Sequence, residues 1–341
     1  MAKQGVALSR GRPRKGRSAQ PYAIALTALL LPVGLAWADP AAAQSPLAAA
    51  VLPASRSPMV NETATVFATM LNGGTAAMSG CTVAPMTAMP VTFAFQATDA
   101  TTNAPQGSPG TPFSLAGNGA QTLVLSFTPT AEFSPTQLEL SFSCAGVQPA
   151  SVVTGLNTVL LSGSTVQVPD VIALAATATN NGTLTLGDTA SPSGAFAVAT
   201  INLGSGDMIT VSPNIGAASL PVSLLVCPTG ADGSCTTAPA ALATESVPAG
   251  GTPTFAIFAT ASGAIPFDPA NNRIFVQFTD STNAVRGTTS VALTSPAPLA
   301  PPPPPPPPYH YCGVAGDQPG PGRGRTPHPG PAGAAQPAAK S

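Results

Sequence analysis

The side chains that usually make and break bonds are missing from the central stretch between Gln44 and Pro296, which holds no His, Lys, Tyr or Trp. Without an imidazole, a Ser-His-Asp triad has no base. Without an amine no Schiff base forms, and no Gly-rich lysine loop is present to cradle phosphate. Acid–base work falls to carboxylates alone: Glu62, Asp99, Glu132, Glu139, Asp170, Asp188, Asp207, Asp232, Glu245, Asp268 and Asp280. Two such groups flanking a glycosidic bond would make a carboxylate-only hydrolase. Most of these acids stand beside Gly, Pro or Asn, however, where an Asx turn or a solvated charge accounts for them. The stretch also offers no Trp or Tyr face to stack on a sugar. The expectation is a protein that is not an enzyme, with no catalytic residues and no cofactor.

Oxygen ligands leave calcium as the one metal to weigh. Asp268, Asn271, Asn272 and Asp280 cluster in the sequence, but no D-x-D-x-D-G loop is present and turns use the same residues, so no metal ligands are assigned. A calcium-stabilised extracellular binding module is the alternative to a structural or adhesive one. Zinc is disfavoured, because the C-x7-C spacing of Cys227 and Cys235 is not that of a zinc knuckle and no His completes a site.

Residues 1–43 read as an address. The first twenty are polar and carry Lys3, Arg10, Arg12, Arg14, Lys15 and Arg17. An apolar run from Ala23 to Ala36 follows and closes on Ala36-Trp37-Ala38, with Ala41-Ala42-Ala43 as a second small-residue site. This is the order of a secretory signal peptide, cleaved after Ala38 or Ala43. The run falls short of the ~20 apolar residues of a spanning helix and is broken by Pro32 and Gly34. No membrane span is expected after cleavage, and the destination is the periplasm, the cell surface or the medium.

An oxidising compartment permits disulfides. Cys81 and Cys144 fall in one half of the body, Cys227 and Cys235 in the other, and pairing within each half is the economical expectation. Cys227 and Cys235 flank Asp232-Gly233, a turn signal, so a bridge there clips a hairpin. The longer loop closed by Cys81 and Cys144 stabilises more. Cys312 is left over, as a free thiol or an intermolecular bridge.

Charged residues make up 7 % of the chain, too few for the wet faces of long amphipathic helices. Thr, Val and Phe suit a half-buried pleated surface instead. The body also repeats itself at a period near 132 residues. Val91–Thr98 (VTFAFQAT) is answered by Val222–Thr229 (VSLLVCPT), and Gly119–Thr128 by Gly251–Thr260. Leu138–Phe142 is answered by Ile274–Phe278, and Gly155–Leu161 by Gly287–Leu293. Four correspondences in one order point to a duplication, and the period fits a whole sandwich domain.

The expected fold class is all-β: two tandem immunoglobulin-like β-sandwich domains, 44–164 and 165–296, each of about seven short alternating strands. All thirteen Phe lie in this body as fillers between sheets. Phe133-Ser134-Pro135 and Phe267-Asp268-Pro269 are expected as corners, each Phe plugging a sandwich end. After Pro296 the composition breaks into Pro301–Pro308 and Gly-, Pro- and Arg-rich sequence, read as a disordered tail over 297–341. A stiff spacer, a wall-penetrating arm, a docking peptide and an incidental tail from a frame error all fit that composition.

The stretch Glu62–Ala76, ETATVFATMLNGGTA, resembles a strand-turn pattern of bacterial extracellular immunoglobulin-like modules of the CARDB type (cell-adhesion-related domain of bacteria), in which a strand ends in Asn-x-Gly-x-Ala. The second repeat departs from it, since Phe196–Leu203 runs into Gly204-Ser205-Gly206. The resemblance implies an adhesive or spacer module and carries over no ligand residues. The body sets only Arg56, Arg273 and Arg286 against its eleven acids, a net charge of −8. Such a surface repels phosphate backbones, so nucleic acid is not an expected partner, and another envelope or surface protein is.

Overall fold

A computed structural model describes residues 45–189 and 191–296. The expected signal peptide and Pro-rich tail, with His310, Cys312 and His328, lie outside the described residues. Every regular element among the described residues is a strand. The first ten are β1 (Leu47–Leu52), β2 (Ser55–Arg56), β3 (Ala64–Asn72), β4 (Met78–Pro85), β5 (Val91–Thr98), β6 (Pro105–Gln106), β7 (Phe113–Leu115), β8 (Ala120–Pro129), β9 (Phe133–Ser143) and β10 (Thr158–Gly163). The next nine are β11 (Val171–Ala176), β12 (Thr183–Thr185), β13 (Ser193–Asn202), β14 (Asp207–Asn214), β15 (Val222–Thr229), β16 (Ala243–Val247), β17 (Thr254–Ala261), β18 (Arg273–Thr279) and β19 (Val285–Thr294).

The strands form four sheets whose orders repeat. The first half gives β1-β3-β8-β5-β6 and β2-β10-β9-β4-β7; the second gives β11-β13-β17-β15 and β12-β19-β18-β14-β16. Strand for strand the orders coincide, and only β6 lacks a counterpart. Even the exceptional pairing repeats: β2 lies parallel to β10, and β12 parallel to β19. The halves have ten and nine strands rather than seven; β2, β6 and β7 in the first and β12 in the second are only two or three residues long. Pieces that short carry no readable alternation.

Alternation sets the packing elsewhere. In β3, Ala64, Val66, Ala68, Met70 and Asn72 point inward, and every residue between them is exposed. Val66, Ala68 and Met70 meet Leu123, Leu125 and Phe127 of β8 and Leu138, Leu140 and Phe142 of β9 in one apolar cluster. The second half builds its own cluster around Phe196, Val198, Phe255, Ile257, Ile274 and Phe278. Phe255 and Phe278 join its two sheets edge to face, with ring centroids 5.7 Å apart.

Two expectations need correction. Phe133 does pack on its core, and its ring lies where a side chain on Gly163 would stand. Phe267 does not plug anything: it is 66 % exposed. The backbone N–H groups of Asn271 and Asn272 both bond to Asp268 O, and this tight turn leaves Phe267 outside the core.

The second correction concerns the turn after β13. Asn72 and Asn202, both fully buried, end equivalent strands. Asn72 Oδ1 accepts from Gly74 N at 2.9 Å, and its Nδ2 donates to Ala76 O and Ala116 O. Asn202 Oδ1 accepts from Gly204 N at 3.0 Å, and its Nδ2 donates to Ser205 O at 2.7 Å. The second repeat therefore keeps the Asn-x-Gly device at Asn202-Leu203-Gly204 and lacks only the final Ala. We expect Asn202→Ala to lower the unfolding free energy by about 2–4 kcal/mol, because several buried partners lose their bonds at once. The midpoint of urea unfolding measures this. Asn202→Asp should not rescue it, since a carboxylate cannot donate to Ser205 O.

Candidate functional site

The three arginines of the body converge where the two halves meet. The chain crosses between them over residues 164–170, and Asp170 at the end of that crossing is 5 % exposed. Arg56, at the end of β2, reaches Asp170 Oδ2 through Nη2 at 2.9 Å and Nε at 3.1 Å, while its Nη1 donates to Thr65 O. Asp170 Oδ1 accepts from Ser57 N at 2.8 Å. The backbone N–H of Asp170 donates to Asn202 Oδ1, so the strand-ending amide of the second half and a guanidinium of the first half hold the same aspartate.

Arg286 forms the other ion pair. Its Nε lies 2.6 Å from Asp280 Oδ2. Its Nη1 donates to Ser162 Oγ in the first half, and Ser162 Oγ donates to Ser57 Oγ. Ser55 Oγ accepts from Thr288 N at 2.8 Å. Further along, Ser290 Oγ donates to Gly155 O at 2.7 Å and accepts from Nε and Nη2 of Arg273. Gly155 has φ of +74°, and a Cβ there would come within 2.7 Å of Phe275 and 2.8 Å of Ser290. Only glycine fits that socket. All three arginines of the body thus belong to the seam.

Two clefts flank the seam. One, of about 550 Å³, is lined by Gln137, Asn214, Asn271, Phe275 and Gln277 among others. The other, of about 580 Å³, is lined by Leu52, Leu174, Phe267, Arg273 and Ser290 among others. Arg273 is 4 % exposed. Burial lowers its pKa to about 10, and it stays protonated at neutral pH.

Of the acids considered for hydrolysis, Asp99, Glu132, Asp170, Asp207, Asp232, Asp268 and Asp280 accept hydrogen bonds, and Asp280 lies close enough to Asp207 to oppose its ionisation. Asp99 accepts two backbone N–H bonds and a hydroxyl bond from Thr101 and Thr102, which lower its pKa. The Thr165 hydroxyl and N–H lower that of Glu132, and the Ser281 hydroxyl that of Asp207. The Ser234 hydroxyl does the same for Asp232 and the Asn271 side chain for Asp268. At Asp280 burial opposes ionisation, but hydrogen bonds from Thr282, Arg286 and Ala284 outweigh it and the pKa is lowered. A glycosidase acid needs the opposite displacement. Of the calcium candidates, Asp268, Asn271 and Asn272 share one turn, whereas Asp280 belongs to the next hairpin and is held by Arg286. Among the described residues no three His, Cys, Asp or Glu side chains gather.

These shifts fix a pH dependence. Carboxylates held below their unfolded pKa contribute stability above that value and lose it as pH falls through the folded one. We expect the urea midpoint to be flat between about pH 6 and 9 and to fall below about pH 4.

Cys81 is bonded to Cys144 and Cys227 to Cys235. The first bridge ties β4 to the residue just after β9, its neighbour in the same sheet, where Thr82 opposes Ser143. It does not cross between sheets, as the bridge of antibody domains does. The second closes a turn that also places the segment before Ala240 along β15: Val226 N donates to Ala240 O at 2.7 Å, and Ala240 N to Val226 O at 3.0 Å.

Sequence reasoning missed the seam, although one signal for it was present: Arg56 lies between Ser55 and Ser57, in a body with only two other cations.

No protein-family model and no curated protein matches the chain. Among solved structures it is similar to a protein of unknown function from Porphyromonas gingivalis W83, at 15 % identity and TM-score 0.24 over 73 % of this chain and 99 % of that one. A family 123 glycoside hydrolase from Clostridium perfringens is similar at 6 % identity and TM-score 0.24, over 42 % of this chain and 30 % of that one. The secreted serine protease VesC from Vibrio cholerae is similar at 10 % identity and TM-score 0.19, over 61 % of this chain and 48 % of that one. Likeness at this level assigns neither a family nor an activity.

Proposed function

We propose that the chain is an exported, non-enzymatic structural or interaction protein of the bacterial envelope, built as two immunoglobulin-like sandwiches held end to end, with another envelope or surface protein as its partner. The carrying observation is that all three cations of the body lie at the seam, two of them in ion pairs. That arrangement supports a fixed angle between two domains and engages every cation of the body in structure, leaving only carboxylates for acid–base work. Two disulfides and the basic-apolar-small order of residues 1–43 support export. The resemblance of Glu62–Ala76 to CARDB modules supports an adhesive or spacer role, and the recurrence of its Asn-x-Gly turn at Asn202 strengthens it.

The test is to express the full chain in a Gram-negative host, fractionate the cells, and determine the N-terminus and free thiols of the product. The reading expects processing after Ala38 or Ala43, an extracytoplasmic fraction and four blocked cysteines. An unprocessed cytoplasmic product with reduced cysteines overturns export. Turnover of any substrate in a glycoside panel overturns the non-enzymatic part.

A further inference from the structure

Arg273 is the seam cation without a counter-charge. It is 4 % exposed, and no carboxylate lies within 4.0 Å of it among the described residues. Its acceptors are all neutral oxygens: Ser290 Oγ, Ser290 O and Pro269 O. A guanidinium has five N–H groups. Those acceptors take part in four contacts, so at least one N–H has no acceptor among the described residues. Buried charges are ordinarily paired, since an isolated one forfeits its hydration without return.

The cleft that Arg273 lines is apolar at its mouth. Leu52 at the end of β1, Leu174 on β11 and Phe267 in the turn before β18 are 53 %, 45 % and 66 % exposed, and all three line it. Leu52 and Leu174 come from different halves, so the cleft exists only because the seam holds them together. Its 580 Å³ lies within the ~300–1,000 Å³ of small-molecule sites, which typically combine apolar walls with a few placed polar groups. The opposite cleft has no charge: its polar lining is amides and threonine hydroxyls, and Asn214 there donates to Gln277.

We propose that the Arg273 cleft binds a single-chain amphiphilic carboxylate, with the hydrocarbon chain between Leu52, Leu174 and Phe267 and the carboxylate directed to Arg273. The apolar walls select the chain, and the unpaired guanidinium selects an anion over a neutral or cationic head. This goes beyond the proposed structural role and does not depend on the compartment.

Titration calorimetry of the full chain with octanoate tests it, with octanol, octyltrimethylammonium and acetate as comparisons. The expected result is one site per chain, octanoate at least tenfold tighter than octanol, and no detectable binding of the ammonium or of acetate. Arg273→Gln should bring octanoate and octanol to the same affinity, but it also removes bonds to Ser290 and Pro269 that hold the seam. Leu174→Glu is therefore the second variant: its side chain takes no part in the seam's hydrogen bonds. It should keep the melting temperature and weaken octanoate at least tenfold. Octanol binding as tightly as octanoate, uptake at many equivalent sites, or unchanged octanoate affinity in Leu174→Glu each overturns the proposal.

Discussion

Asp170→Ala lowers the unfolding free energy by about 3–5 kcal/mol, the cost of leaving a buried cation without its partner. The side chains of Arg56 and Asp170 are only 11 % and 7 % exposed, so water does little to screen the loss. The same aspartate also accepts the Ser57 N–H, which is orphaned with it. The loss is local to the seam, and that gives it a second readout. A single melting transition should split in two as the halves uncouple, and a protease that cuts after small aliphatic residues should gain access to Val166, already 66 % exposed in the crossing segment. The paired replacement Arg56→Met with Asp170→Leu should cost far less, because an ion pair replaced by apolar groups of similar volume is often neutral or better. A double replacement as damaging as Asp170→Ala would show that the seam depends on charge itself.

Cys81→Ala with Cys144→Ala should cost about 4 kcal/mol, from the chain entropy returned to an unfolded loop. That loop spans 63 residues of sequence separation, against 8 for Cys227 and Cys235. The same reasoning gives roughly 2.5 kcal/mol for removal of the short bridge. The order of the two double variants in a urea titration is the check, and a larger loss from the short bridge would mean that native packing rather than loop closure sets its worth. Both positions in the long bridge are buried, so alanine rather than serine is the replacement that isolates the bond.

The fold was legible where burial has a period. Alternation in Thr122–Phe127 of β8 and the duplication of four segments came from the residue order, because a strand with one face inside must repeat every second residue. The two-residue strands were not legible, since their place is set by neighbours such as Leu160 against Ser55 rather than by their own composition. Asn202 escaped because the pattern sought was five residues long, while the physics needs only an amide and a following N–H it can accept. The seam was hidden for a different reason. Arg56 and Asp170 are 114 residues apart, and nothing local to either says that they meet. Phe267 failed as a plug because the turn at Asp268 leaves it outside the core, a choice made by backbone bonds that its neighbour Pro269 does not reveal.

The short bridge carries a consequence beyond its own energy. In the first half, β6 finishes the sheet beside β5; in the second, no strand follows β15, and the segment ending at Ala240 lies there instead, tethered through Cys235. Bare backbone donors and acceptors along the last strand of a sheet are a template for another molecule, and proteins cover them to stay apart. Reducing Cys227–Cys235 loosens that cover, so a reducing environment turns this border into a place where separate molecules zip together into aggregates.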